Sequence, residues 1–152
     1  MEQEFDALED IPAYDLSGVR TLIVDRYQSY TRILAEQLSD FGITSLVANV
    51  RSDAYRAICS ENRIDVLALG GASDLSGGTS DFPIIAKTLH RGIMVVSMAC
   101  LPEEQRDLIF AGADVATEKA YCYRSIVFGL VERRKMSGVR VAVQRRPVGD
   151  ES

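Results

Sequence analysis

Between Gly18 and Lys135 the chain alternates compact apolar runs with segments of helical spacing. Strands joined by crossover helices in a parallel α/β sheet give this pattern. The runs are TLIVD from Thr21, ITSLVA from Ile43, IDVLALG from Ile64, IMVVSMA from Ile93 and the weaker ADVAT from Ala113, which predicts five strands. After the first, Tyr30, Ile33, Leu34, Leu38 and Phe41 share one helical face, and Gly42 supplies a left-handed cap. Ala54, Ala57 and Ile58 make a thinner second stripe. A third helix runs from about Asp81 or Pro83 through Ile84, Ile85 and Leu89, with Pro83 in the first turn, where its missing N–H costs nothing. A fourth begins at Pro102, with Glu103 and Glu104 at the positive end of the dipole, and carries Leu108, Ile109 and Gly112. The last starts near Tyr121, carries Ile126, Val127, Leu130 and Val131, and ends in Arg133, Arg134 and Lys135, at the negative end.

Three segments follow from this pattern: an acidic extension over 1–18, the α/β unit over 19–135 and a basic extension over 136–152. Residues 1–18 carry six acids and no base, with Phe5, Leu8 and Ile11 at helical spacing; a loose or weakly docked segment is expected. From Gly138 the chain reads GVRVAVQRR, alternating Val139, Val141 and Val143 as an edge strand or an extended linker would.

Composition narrows the class. The 152 residues include 17 Lys plus Arg and 22 Asp plus Glu, a net charge of −5, with 47% hydrophobic and 26% charged residues. One soluble domain of this size buries roughly two thirds of its unfolded surface without staples. The acidic balance opposes a general electrostatic grip on nucleic acid or anionic membrane. Cys59, Cys100 and Cys122 fit neither a CxxC pair nor a disulfide framework, which implies a reducing compartment. With no secretory signal and no run long enough to span a bilayer, a cytoplasmic protein is expected.

In an open parallel sheet chemistry collects beyond the carboxyl ends of the strands. Those positions hold Asp25 and Arg26, Gly70 and Gly71, Ser97 and Met98, and Glu118 and Lys119. With LSGVRTLIVD, Arg32, Leu34 to Gly42, IDVLALG, MVVSMA and AGADVATEK falling in order, residues 16–135 resemble the receiver domain of bacterial response regulators (CheY-like). The resemblance implies a flavodoxin-like, doubly wound five-stranded parallel sheet with short terminal extensions.

The departures from that family carry the functional expectation. The resemblance places the phosphoacceptor aspartate at Gly70, which has no side chain. It also implies two adjacent acids holding Mg²⁺, and here Asp25 is followed by Arg26. A guanidinium about 4 Å from a divalent ion costs on the order of 8 kcal/mol at an effective dielectric near 20, unless it turns to solvent. Ser97 and Lys119 match the family's hydroxyl and lysine, whereas the rotating aromatic is Ala116 and the following proline is Ala120. The degenerate receiver site is therefore Asp25, Arg26, Gly70, Ser97, Ala116 and Lys119, with an Asp25–Lys119 ion pair expected and Arg26 as a competitor. No catalytic residue, metal or cofactor is expected.

Other readings stay open at this stage. The loop from Gly70 to Gly78 could cradle an anion or small molecule on its backbone, or be a flexible replacement for a lid. Asp74 and Asp81 lie in the GGASDLSGGTSD stretch as displaced phosphoacceptors without a metal cage. His90, the sole histidine, reads as a surface cap, and Cys100 is the cysteine to test for reactivity. Tyr121, Tyr123, Ile126, Phe128 and Leu130 put apolar character on more than one helix face. They suggest either an interface, such as a homodimer, or a helix covered by the C-terminal strand. The function expected is a phosphorylation-independent pseudo-receiver, not an enzyme, that binds a histidine kinase, a phosphotransfer protein, another regulator or itself. The alternative is a regulator using Arg133, Arg134, Lys135, Arg140, Arg145 and Arg146 on nucleic acid, with the receiver-like unit as dimerisation platform.

Overall fold

The computed structural model describes residues 11–144. All five predicted strands form: β1 (Arg20–Val24), β2 (Thr44–Ala48), β3 (Val66–Leu69), β4 (Met94–Ser97) and β5 (Val115–Ala116). They make one parallel sheet in the order β2-β1-β3-β4-β5. The helices between and after them are α1 (Gln28–Ser39), α2 (Arg51–Ser60), α3 (Phe82–Leu89), α4 (Pro102–Phe110) and α5 (Cys122–Met136). A strand in such a sheet is covered on both faces, which explains the uninterrupted apolar runs. Ile23, Val66, Ala68, Met94 and Val96 pack under α1 and α5. Leu22, Val24, Leu67, Leu69 and Val95 face α2, α3 and α4.

The predicted helix ends hold. Gly42 takes φ +81°, and a Cβ there would come within 2.6 Å of Ser17 Oγ, so both the conformation and the close approach require glycine. Pro83 and Pro102 sit in first turns, and Arg133, Arg134 and Lys135 form the last turn of α5.

Several faces differ from the sequence reading. Ile33 is 49% exposed, because Thr31, Leu34 and Leu38 set the buried stripe of α1 and Ile33 lies about 100° away from Leu34. On α3 the core is reached by Phe82, Pro83 and Ala86; Ile84, 65% exposed, and Leu89 point outward. Ile109 is likewise outside, and Leu108 alone is buried from α4.

The inner ends of both extensions belong to the folded unit. Leu16 is fully buried, and Ile11, Tyr14 and Val141 pack against the first core. Asp15 N–H donates to Ala142 O at 2.7 Å and Gln144 N–H to Ala13 O at 2.6 Å, around an antiparallel bridge between Tyr14 and Val143. Of the loose or weakly docked alternatives expected over 1–18, the described part is docked from Ile11 onward, because its apolar side chains pack on the first core. Phe5, Leu8, Arg145 and Arg146 lie outside the described residues.

This contact also bears on the two readings of α5. Ile126 and Leu130, candidate interface residues, are buried in the core, whereas Tyr123 and Phe128 are half-buried and Tyr121 is exposed. Tyr14 meets Phe128 edge to face, with ring centroids 6.3 Å apart. The chain's own terminal segments thus cover part of the second apolar face of α5, at Phe128.

Candidate functional site

Register brings the predicted positions together. Val24, Leu69, Ser97 and Ala116 form one row across the sheet, so Asp25 and Gly70 emerge side by side one residue beyond it. Asp25 is fully buried; its Oδ1 accepts the Tyr27 N–H at 3.0 Å, and its main-chain oxygen accepts from Asn49 Nδ2 at 2.8 Å. Lys119, on the short 3₁₀ turn Lys119–Tyr121, reaches back so that Nζ lies 2.7 Å from Asp25 Oδ2. That contact is an ion pair without the alignment of a hydrogen bond. The expected Asp25–Lys119 pair is present.

A third member completes the cluster. The 3₁₀ turn Ala72–Asp74 swings the Asp74 carboxylate back under the sheet edge, where it is 3% exposed. Asp74 Oδ2 accepts the Gly71 N–H at 2.9 Å, and Oδ1 accepts from Lys119 Nζ at 3.0 Å. A Cβ built on Gly70 would stand 2.7 Å from Asp74 Cβ and 2.8 Å from Asp25 Oδ2. The space a side chain at position 70 would use is therefore taken up by Asp74. The signal for this was Gly70 itself: a bare strand end beside Asp25 and Lys119 leaves room that the next carboxylate along the chain can fill.

Lys119 is 18% exposed and lies over the rings of Tyr27 and Tyr30, 5.0 and 5.2 Å from their centroids. Burial alone would lower its pKa, but the carboxylates of Asp25 and Asp74 outweigh that and hold it above the ordinary lysine value. Tyr30 donates its hydroxyl to Lys119 O at 2.8 Å, fixing the lysine's backbone. Arg26 does not compete for Asp25: it is exposed, stacked 4.7 Å over Tyr27 and bonded to the Tyr27 hydroxyl. The Tyr27 hydroxyl bond, ahead of weaker attraction to the site's acids, raises the Arg26 pKa.

Ser97 stands at the predicted row but not in the charged cluster. Its hydroxyl donates to Gln105 Oε1 on α4, and Gln105 Nε2 donates to Thr117 O at 2.9 Å. Ala116, beside it in register, is exposed. Sequence reasoning passed over Gln105, which in the first turns of a surface helix looks like any solvated residue.

The loop after β3 is ordered by its own contacts, contrary to a flexible lid. Thr79 Oγ1 donates to Gly70 O at 2.7 Å, Arg26 N–H to Asp74 O at 2.9 Å, and Leu75 is buried. Four of the loop's N–H groups are engaged within the fold: Gly71 by Asp74, Ser73 by Glu104, Asp74 by Gly71 O and Gly78 by Leu75 O. The adjoining cleft, near Gly78, Thr79 and Glu104, measures about 80 Å³, below the roughly 300 Å³ of ordinary ligand pockets. Asp81 lies apart, paired with Arg51, whose hydrogen bond leads in lowering the Asp81 pKa.

The family's magnesium does not fit this donor set. An ammonium sits between the two carboxylates, and among the described residues no group of three or more His, Cys, Asp or Glu is gathered as ligands. His90 is not a surface cap: it is buried, with Nδ1 accepting the Ile64 N–H at 3.1 Å and Nε2–H donating to Ile58 O at 2.8 Å. Burial, and then Asp74, raise the Cys100 thiol pKa, and burial pushes Cys122 up to about 12, so neither is a poised thiolate. Arg133 is engaged by Gly92 O and Asp114. No helix among the described residues is long and apolar enough to cross a membrane.

No family model and no curated relative matches the sequence. Solved structures do. A CheY-like response regulator receiver domain protein from Methanospirillum hungatei aligns with a TM-score of 0.66 and 18% identity over 78% of this chain and 94% of that one. An orphan response regulator of H. pylori aligns at 0.61 and 19% identity over 78% and 97%. An atypical orphan response regulator, described by a phosphorylation-independent regulatory mechanism, aligns at 0.57 and 18% identity over 77% and 96%. The chain has the receiver-type, flavodoxin-like fold.

Proposed function

We propose that this chain is a pseudo-receiver: a signalling module of receiver fold that binds partner proteins without being phosphorylated and is not an enzyme. The observation that carries the reading is the Asp74 carboxylate, buried against Gly70 and paired with Lys119. In the resembled family a phosphoryl group on a residue-70 aspartate would draw the lysine. Here a carboxylate from the following loop supplies that negative charge permanently, and Gly70 offers no nucleophile.

The partner classes that fit are a histidine kinase, a phosphotransfer protein, another regulator or a second copy of the chain, met in the cytoplasm. The orphan and atypical regulators among the structural neighbours support a signalling role of this type. Incubation with acetyl phosphate and Mg²⁺, followed by intact-mass measurement, tests it. The expected spectrum shows the unmodified chain, and a phosphoryl adduct mapped to Asp74 or Asp25 would overturn the proposal.

A further inference from the structure

The amino ends of the strands carry a second concavity, on the opposite rim of the sheet from Asp25 and Lys119. Val19 and Asp65 immediately precede β1 and β3, and Gly92 lies two residues before β4. Together with Ser17, Gly18, Arg63 and, from α5, Leu130, Arg133 and Arg134, they line a cleft of about 370 Å³, within the range of small-ligand sites. Three guanidiniums and a single carboxylate, Asp65, line it, in a chain whose net charge is −5. The local field there is opposite in sign to that of the whole chain.

Two of these arginines are held from one side. Arg63 Nη2 donates to Gly18 O at 2.5 Å, and its Nε lies 3.3 Å from Asp65 Oδ1. Arg133 Nη1 donates to Gly92 O at 2.8 Å. Its approach to Asp114, at 3.6 Å, is loose, because that carboxylate already accepts from Lys87 Nζ at 2.7 Å and the Val95 N–H at 2.9 Å. A guanidinium offers five N–H donors, so both keep donors to spare. Arg134 is half-buried, yet its side chain makes no hydrogen bond or ion pair among the described residues. Asp15, the acid that feels it, is taken by the Ser17 N–H and hydroxyl at 3.0 and 2.5 Å, with Arg134 the weakest influence on its pKa. Nor does α5 need this side chain as a cap: the carbonyls of Arg133, Arg134 and Lys135 accept the N–H groups of Ser137, Val139 and Gly138 respectively. A partly desolvated guanidinium without a counter-charge is stabilised by an anion brought to it.

We propose that this cleft binds a small phosphorylated molecule through a phosphate dianion, held by Arg134 with Arg63 and Arg133 as flanking donors. The surplus of two positive charges in the lining matches a dianion, and planar guanidiniums pair phosphate oxygens two at a time. Gly18 and Gly92 leave the rim open, with nothing within 4 Å of where a Cβ would stand. Leu130 gives the cleft an apolar wall for the rest of the ligand. The site stands at the other end of the sheet from the pseudo-receiver cluster and does not depend on that reading.

Titration calorimetry of the full chain at low salt, with inorganic phosphate, glucose 6-phosphate and glucose, tests the site. Both phosphates should bind saturably and glucose should not; which of the two binds more tightly separates recognition of the free anion from that of its ester. Arg134→Gln should weaken binding roughly tenfold, the scale of one charge-assisted hydrogen bond, and Arg134→Lys should recover part of the loss. Both variants should keep the wild-type melting temperature, since the side chain has no partner to lose. Arg106→Gln, at an exposed arginine on α4, should leave the affinity unchanged. Amide NMR spectra of the wild type should shift at residues 17–19, 92 and 130–134 on adding phosphate. Absence of saturable binding by both phosphates, full affinity in Arg134→Gln, or an equal loss in Arg106→Gln would overturn the site. So would a DNA duplex that binds through Arg134 where neither phosphate does.

Discussion

Lys119 faces two buried carboxylates and two aromatic rings. Its removal strands Asp25 and Asp74 together, with no other cation among the described residues within salt-bridge distance of either. Breaking a buried ion pair from one side costs about 3–5 kcal/mol, so Lys119→Met should lower unfolding stability by that amount. A loss below about 1 kcal/mol, of the kind an exposed pair gives, would contradict the burial. The pH dependence follows from the raised pKa. The native state binds this proton more tightly than the unfolded chain, so its contribution is fully present below the ordinary value of 10.5 and fades as pH rises through the higher folded value. The stability difference between wild type and Lys119→Met should therefore be flat up to that ordinary value and shrink above it in urea titrations.

Asp25, Gly70 and Lys119 were legible as a cluster because strand register fixes what stands beside what. Asp74 was visible only as a displaced carboxylate, since its direction depends on how the Ala72–Asp74 turn closes. Ser97 was placed in the register row correctly, but which way its hydroxyl turns depends on Gln105 from α4, which strand order does not reveal.

Among the elements, strands read more directly than helix faces. A strand buried on both sides is a run of apolar residues, whereas a helix that carries apolar residues all round gives several candidate stripes. On α3, Ile84 and Leu89 outweigh Ala86 in hydrophobicity, yet Phe82 and Ala86 set the phase because the helix lies close to the sheet face. The joints between elements were hidden too. His90 ties the last turn of α2 to the start of β3 from the cap of α3, with both ring nitrogens engaged. His90→Phe keeps the ring but leaves the Ile64 N–H and Ile58 carbonyl unpaired, and should cost about 1–3 kcal/mol. Thermal or urea unfolding within about 0.5 kcal/mol of wild type, the scale of ordinary surface changes, would contradict a structural histidine.

At the scale of the whole molecule, the sheet order sets Asp25 and Gly70 on neighbouring central strands, with Lys119 arriving from beyond the β5 edge. The fold provides a pocket for three charges there. In this chain two carboxylates and one ammonium fill it, beside the bare Gly70. The terminal segments were read as a loose or weakly docked acidic extension and as an edge strand or extended linker. Their apolar positions, Leu16, Tyr14 and Val141, pack on the first core.

The central claim is that Asp74 occupies the space belonging to a side chain at position 70. A double-mutant cycle by urea unfolding measures this directly. Gly70→Asp alone forces a Cβ against Asp74 and Asp25 and adds a third carboxylate, so a loss of at least about 2 kcal/mol is predicted. Adding Asp74→Ala removes both the clash and one charge, so the double variant should be more stable than the sum of the single losses by about 1 kcal/mol or more. Additivity within about 0.5 kcal/mol would mean that the two positions do not share one volume, and the account would be contradicted.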